Sequence, residues 1–249
     1  MLDGIKRWLG GASGAGVAGY EAIVALADGN RYNFRGVQDE GFVIDGRLGT
    51  TAWRLEWGPS QRPYLTGHEL RIRADSGVES ELQLLVLTRE LQEQLEKSIF
   101  EQYVEDVQTR IDNQTPPEMR WLVMFPKLPG SDMAALREQY VAVGNGKTWL
   151  QAWLRGALSQ SLVLLASQTT APLVLMIGRG RLMLRTALED PGVPELQRLL
   201  VLFETALREA RRVANENPRD LPDSGVAPSG GSDWNASTPR ETLGAPRKD

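Results

Sequence analysis

The most restrictive feature of this sequence is a strict alternation of apolar and charged side chains in two short segments. The first segment reads Trp53, Arg54, Leu55, Glu56 and Trp57. In the second, Leu70 and Ile72 alternate with Arg71 and Arg73. A repeat of two is that of a β-strand with one buried face and one face in water, as in an antiparallel sheet. The first half of the chain is therefore expected to contain such a sheet, with its arginines on the wet face.

Two later segments show the repeat of a helix instead. In residues 79–112, apolar side chains recur every three or four positions from Leu84 to Ile111, and the other faces are acidic. Residues 195–214 carry a second apolar stripe. Together the patterns predict an α+β protein, built as two sheet-plus-helix units with a long amphipathic helix between them.

Composition divides the chain into four parts. Residues 1–19 combine a short amphipathic segment, residues 1–9, with a Gly-rich linker. Residues 20–112 are expected to form a strand-rich unit that ends in the long helix, and residues 113–214 a helix-rich α/β unit. Residues 215–249 are rich in proline and glycine and lack periodicity, so they are expected to be a disordered tail.

Turn signals predict two hairpins. Residues 20–27 and 31–37 flank an Asp-Gly-Asn turn, which is typical of two paired strands. Residues 172–177 and 181–186 flank a Gly-Arg-Gly turn in the same way.

The two units share a pattern that indicates a possible internal duplication. Residues 68–74 align with residues 180–186, and each segment is followed by a Leu-Leu-Val-Leu run, residues 84–87 and 199–202. Chance similarity between Leu-rich segments is the alternative.

Composition also excludes several classes of site. The chain has no cysteine, so disulfides and thiolate metal sites cannot form, and the single histidine, His68, cannot make a zinc site alone. A net charge of −4 gives no general attraction to nucleic acid. We therefore expect no metal, no cofactor and no nucleic-acid partner. The absence of an export signal or a membrane span makes the cytoplasm the expected compartment.

One short motif suggests a phosphate site. Gly144, Asn145, Gly146, Lys147 and Thr148 spell the end of a P-loop. The complete motif requires a glycine where this chain has Val141, and a glycine-rich turn before a helix is the alternative. The cofactor-binding candidates are Gly144, Gly146, Lys147 and Thr148, and no catalytic residue can be assigned.

Tryptophan is frequent, with seven residues in the chain. Core packing is one explanation, and an exposed surface for a partner is the other. The interaction candidates are Trp8, Trp53, Trp57, Trp149 and Trp153.

These observations favour a non-enzymatic protein-interaction or adaptor protein whose partner is another protein. One alternative is a nucleotide- or anion-binding enzyme that uses the turn at 144–148. The other is a peripheral membrane protein anchored by residues 1–9, although few apolar side chains there predict weak membrane contact at most. Arg54, Arg71 and Arg73 on the wet face suggest anion binding, but residues 1–78 carry nine basic and nine acidic residues, which argues against a phosphate surface.

Overall fold

The computed structural model of the chain describes residues 19–37, 41–104 and 115–216. The predicted N-terminal segment with most of its linker, and all but the first two residues of the predicted tail, lie outside the described residues. The described part contains eight strands in one sheet and seven α-helices. The strands are β1 (Asn33–Val37), β2 (Gly41–Leu48), β3 (Thr51–Pro59), β4 (His68–Asp75), β5 (Leu84–Thr88), β6 (Tyr140–Gly144), β7 (Leu173–Gly178) and β8 (Arg181–Ala187). The helices are α1 (Glu21–Gly29), α2 (Arg89–Val104), α3 (Pro117–Met124), α4 (Gly130–Met133), α5 (Lys147–Trp153), α6 (Ala157–Ala166) and α7 (Val193–Glu216).

The sheet is antiparallel throughout and has the strand order β1-β2-β3-β4-β8-β7-β5-β6. The α+β class and the antiparallel sheet are therefore as predicted. The sheet does not break at the predicted boundary between the two units, because β4 pairs with β8 and β5 lies between β6 and β7. Strands from both halves of the chain are thus interleaved in one sheet.

The structure does not show the internal duplication. Residues 68–74 and 180–186 lie in the neighbouring strands β4 and β8, but the two Leu-Leu-Val-Leu runs adopt different structures. Residues 84–87 form the strand β5 and are buried on both faces of the sheet. Residues 199–202 lie in the helix α7, where Val201 faces outward.

Two other expectations require correction. Residues 20–27 do not form a strand, because most of this segment lies in the helix α1, with Ile23 and Ala27 buried one turn apart. The long helix begins at Arg89 rather than near residue 79, since Leu84 and Leu87 belong to β5. Its core residues Leu91 and Leu95 are buried, and residues 105–112 of the predicted helix lie outside the described residues.

The sheet carries helices on both faces but is covered unequally. On the inner face, α1, α5, α6 and α7 pack against the apolar side chains of the sheet and form the larger core. On the outer face, α2 and α3 pack over β5, β6, β7 and β8 in a second, smaller core. Within the described part of the chain, no helix covers the outer face of β1 to β4, which we call the open face. None of the described helices is long and apolar enough to cross a bilayer.

Candidate functional site

The outer face of the sheet changes from charged to apolar along its rows of paired residues. In one row, Arg54 on β3 lies opposite Arg73 on β4, and the row continues through Met183 on β8 and Met176 on β7. The parallel row runs through Glu56, Arg71, Arg185 and Val174. The charged residues of β3 and β4 in these rows belong to the open face, the apolar residues of β7 and β8 lie beneath α2 and α3, and Arg185 stands at the border between them.

A continuous chain of ion pairs crosses the border between these two parts. Each guanidinium group contacts a carboxylate that in turn contacts the next guanidinium, with N···O distances of 2.7–3.9 Å. The chain runs in the order Arg73, Glu56, Arg71, Glu69, Arg185, Glu118 and Arg62. Its outer end is exposed to water, whereas Glu69 and Glu118 have no exposed surface. We call these seven residues the ionic chain.

The buried end of the ionic chain joins three distant parts of the sequence. Arg185 on β8 contacts Glu69 on β4 at 2.9 Å and Glu118 at the start of α3 at 3.9 Å. Arg62, from the loop between β3 and β4, donates a hydrogen bond of 3.2 Å to Glu118 Oε1, the same oxygen that Arg185 contacts. Two guanidinium groups therefore hold Glu118, and they fix α3 against the sheet.

Two buried oxygens beside these pairs have no hydrogen-bond partner among the described residues, Glu118 Oε2 and the Tyr64 hydroxyl. Burial, followed by the negative charge of Glu118, raises the pKa of the Tyr64 hydroxyl, so Tyr64 stays protonated. Burial, followed by the positive charge of Arg62, lowers the pKa of Arg185, but a guanidinium remains charged in proteins.

The buried end has little capacity for chemistry on a substrate. Four hollows lie among the described residues on other parts of the surface, and none of them is lined by a member of the ionic chain. No group of acidic or histidine side chains in the described part of the molecule could hold a metal ion. The buried end is therefore best explained as a structural connection between the sheet and α3.

The open face has more arginine than carboxylate. Asp45 on β2 accepts hydrogen bonds from Arg54 at 2.7 and 3.2 Å and from Arg35 at 3.0 Å. Glu56 is shared in the same way between Arg71 and Arg73. Each carboxylate on the open face thus serves two guanidinium groups, and a guanidinium has five N–H donors, which is more than these contacts use.

The pKa of the Asp45 carboxyl reflects this surplus of arginine. Hydrogen bonds and charge from Arg54, with a smaller contribution from Arg35, lower the pKa of the Asp45 carboxyl, although its partial burial opposes the shift. The side chains of Arg35, Arg54 and Arg73 remain 53%, 40% and 45% exposed. An incoming anionic group can therefore reach them without a rearrangement of the sheet.

The turn at 144–148 connects the end of β6 to the start of α5. The side chain of Asn145 accepts a hydrogen bond from the Gln83 backbone N–H at 2.8 Å and donates to the Glu81 carbonyl at 2.7 Å. A Cβ atom on Gly144 would lie 2.8 Å from the Gln83 carbonyl oxygen, and one on Gly146 would lie 2.9 Å from a methyl group of Leu82. The two glycines thus allow the close approach of residues 81–84.

The two remaining candidates of this turn have ordinary surroundings. Lys147 forms an ion pair with Asp132 at 3.3 Å. Thr148 lies in the first turn of α5, but Gly146 is the capping residue and no side chain caps the helix. Only two residues separate β6 from α5, which is too short a connection to wrap around a phosphate group in the manner of a P-loop.

The described tryptophan candidates lie in the core on the inner face of the sheet. Trp53, Trp57, Trp149 and Trp153 are all buried. The indole of Trp57 donates to the Leu188 carbonyl at 2.7 Å, and that of Trp153 donates to Ala206 at 3.0 Å. These four rings are therefore part of the packed core of this structure. Trp8 lies outside the described residues.

Sequence reasoning found part of the charged site and missed the rest. It placed Arg54, Arg71 and Arg73 on one wet face, and the structure brings them together there. It missed Arg185 and Glu118, because their contacts depend on strand order and helix packing. The one available signal was the alternation of residues 181–185, which resembles that of β4.

Comparison with known proteins gives no further guide. No protein-family model, no curated protein and no solved structure matches this chain.

Proposed function

We propose that this chain is a non-enzymatic protein-interaction protein, and that it binds an acidic segment of another protein on the open face. The observation that carries this proposal is the sharing of each open-face carboxylate between two guanidinium groups. Arginine recognises carboxylates through paired, charge-assisted hydrogen bonds, so the surplus N–H groups suit Asp or Glu side chains.

The position of these residues supports a binding surface rather than a structural one. A sheet whose inner face is buried gains no packing from charged residues on an uncovered outer face. Arg35, Arg54 and Arg73 are spaced across β1, β3 and β4, so they can contact several positions of one extended or helical segment.

A protein partner is favoured over a nucleic acid for reasons of charge. The chain as a whole has a net charge of −4, which would repel a polyanion at long range. Asp45 and Glu56 also interrupt the arginine surface, and a regular row of phosphates would meet them. Separate acidic side chains on a protein segment can avoid both carboxylates.

The test is a selection of random 12-residue peptides for binding to the intact chain. We expect the selected peptides to carry a net negative charge. The triple variant Arg35→Gln, Arg54→Gln, Arg73→Gln should bind them at least about tenfold more weakly, a loss of roughly 1.4 kcal/mol. The matched control removes the same charge from the helical side with Arg155→Gln, Arg198→Gln and Arg212→Gln, and it should retain binding.

Two results would overturn the proposal. In one, peptides are selected but both triple variants bind them equally. In the other, single-stranded nucleic acid binds more tightly than any peptide and depends on Arg35, Arg54 and Arg73, so the partner would be a nucleic acid.

A further inference from the structure

An apolar groove runs between α6 and α7 on the side of the molecule away from the open face. Leu165 and Leu202 are buried at its base, while Leu164 and Val201 remain 59% and 58% exposed at its walls. Its volume is about 350 Å³. Exposed leucine and valine side chains beside a groove indicate a surface that another apolar segment can cover.

The groove continues toward the start of α7. A neighbouring hollow of about 200 Å³ shares Leu165, Gln168 and Arg198 with the groove and extends to Leu188, in the loop between β8 and α7. The two hollows together form one track from Leu188 to Val201, which we call the α6–α7 groove.

The N-terminal end of the described chain lies beside the start of this track. The ring of Tyr20 is 6.0 Å from the ring of Trp57, and the Trp57 indole donates a hydrogen bond of 2.7 Å to the Leu188 carbonyl. The described chain therefore begins close to Leu188.

We propose that residues 1–9 of this chain dock in its own α6–α7 groove. In a helical conformation, Leu2, Ile5, Trp8 and Leu9 would share one apolar face. A nine-residue helix is about 14 Å long, and the groove wall from Pro194 to Val201 extends about 10 Å along α7. The segment is thus somewhat longer than this wall, which the neighbouring hollow extends toward Leu188, and its apolar face would meet the leucine and valine side chains of the groove.

The linker has the reach that docking requires. Residues 10–18 can span at most about 30 Å when extended, which exceeds the roughly 10 Å length of the α7 wall of the groove. Because a short flexible tether gives its segment an effective concentration on the order of millimolar, residues 1–9 compete well against a free partner for this site. A nine-residue helix is unstable alone in water, so it folds on a surface. This docking is independent of the binding proposed for the open face.

Disulfide trapping tests the docking directly, because the native chain has no cysteine. One double variant combines Lys6→Cys with Gln197→Cys on the groove rim. The matched control combines Lys6→Cys with Asp190→Cys, an exposed position closer to the point where the linker leaves the body. A freely moving segment would reach position 190 at least as often as position 197. Docking should instead make the intramolecular disulfide at 197 form about tenfold faster than at 190.

A second variant tests the docking by placing a charge in the groove. Because Val201 is exposed, Val201→Glu should leave the fold intact, which circular dichroism would verify, and should abolish the faster reaction at position 197. Equal or faster trapping at 190 would overturn the proposal. So would a disulfide at 197 that forms between two chains rather than within one, since a second copy would then occupy the groove.

Discussion

At the scale of single residues, Glu118 shows how the second half of the chain is attached to the sheet. Its carboxylate has no exposed surface and is held by Arg62 at 3.2 Å and Arg185 at 3.9 Å. Removal of one member of a buried ion pair leaves the remaining charges uncompensated, which is more destabilising than the loss of the attraction itself.

We therefore predict that Glu118→Ala lowers the free energy of unfolding by about 3–5 kcal/mol, measured by urea denaturation. The control is Glu189→Ala, which removes an exposed carboxylate and should change stability by less than about 0.5 kcal/mol. A loss at Glu118 as small as that of the control would show that α3 does not depend on the ionic chain.

The dependence of the free energy of unfolding on pH gives a prediction for Asp45. Because Arg54 and Arg35 lower its pKa in the folded state, its ionised form stabilises the fold, fully above the unfolded pKa of about 3.9. That contribution is lost as the pH falls through the lowered folded pKa. The stability difference between the native chain and Asp45→Asn should thus be constant near neutral pH and shrink in acid. Urea denaturation at a series of pH values would measure it, and a difference that persists unchanged into strong acid would contradict this account.

At the scale of single elements, the turn between β6 and α5 separates a structural role from a nucleotide-binding role. Gly144→Ala places a Cβ atom 2.8 Å from the Gln83 carbonyl oxygen, so it should reduce stability by about 1–3 kcal/mol. Lys147→Ala removes only an exposed ion pair with Asp132, and its effect should stay below about 0.5 kcal/mol.

Calorimetry with ATP and magnesium completes this test. The native chain should show no binding at millimolar nucleotide. A dissociation constant below about 100 µM, roughly −5.5 kcal/mol, that Lys147→Ala abolishes would restore the nucleotide-binding alternative.

Elements with a clear repeat were predictable from the sequence, and elements determined by tertiary contacts were not. The alternation at 53–57 and 70–73 predicted β3 and β4, and the stripe at 195–214 predicted α7. The Leu-Leu-Val-Leu run was ambiguous, since an apolar run of four fits both a buried strand and a buried helix face. Its structure is set by its neighbours, β6 and β7 at residues 84–87 and the inner core at residues 199–202.

At the scale of the whole molecule, the interleaved sheet implies that the two halves of the chain depend on each other. In isolation, residues 20–112 would lose the β8 partner of β4 and both partners of β5. Unpaired buried backbone groups and an exposed core are unfavourable.

We predict that residues 20–112 and 113–216, each produced alone, lack a cooperative unfolding transition in urea. Chain 1–216 should retain such a transition. Cooperative unfolding of residues 20–112 alone would mean that the first unit is an independent domain, contrary to the shared sheet.

The charged half of the outer face is the feature that links this fold to its proposed activity. On the outer face of the sheet, α2 and α3 cover the apolar surface, and the arginine surface of the open face stays uncovered by any described helix. The whole protein is acidic, so this local surplus of guanidinium groups is a property of strand register rather than of composition.

The most direct measurement is the nuclear magnetic resonance of the arginine side-chain Nε–H groups of the full chain during titration with a selected acidic peptide. We expect the signals of Arg35, Arg54 and Arg73 to shift as the peptide binds. The same peptide with each Glu or Asp replaced by Gln or Asn should leave these signals unchanged. Shifts confined to arginines of α7, such as Arg198 or Arg212, or equal shifts with the neutral peptide, would contradict the claim that the open face binds acidic protein segments.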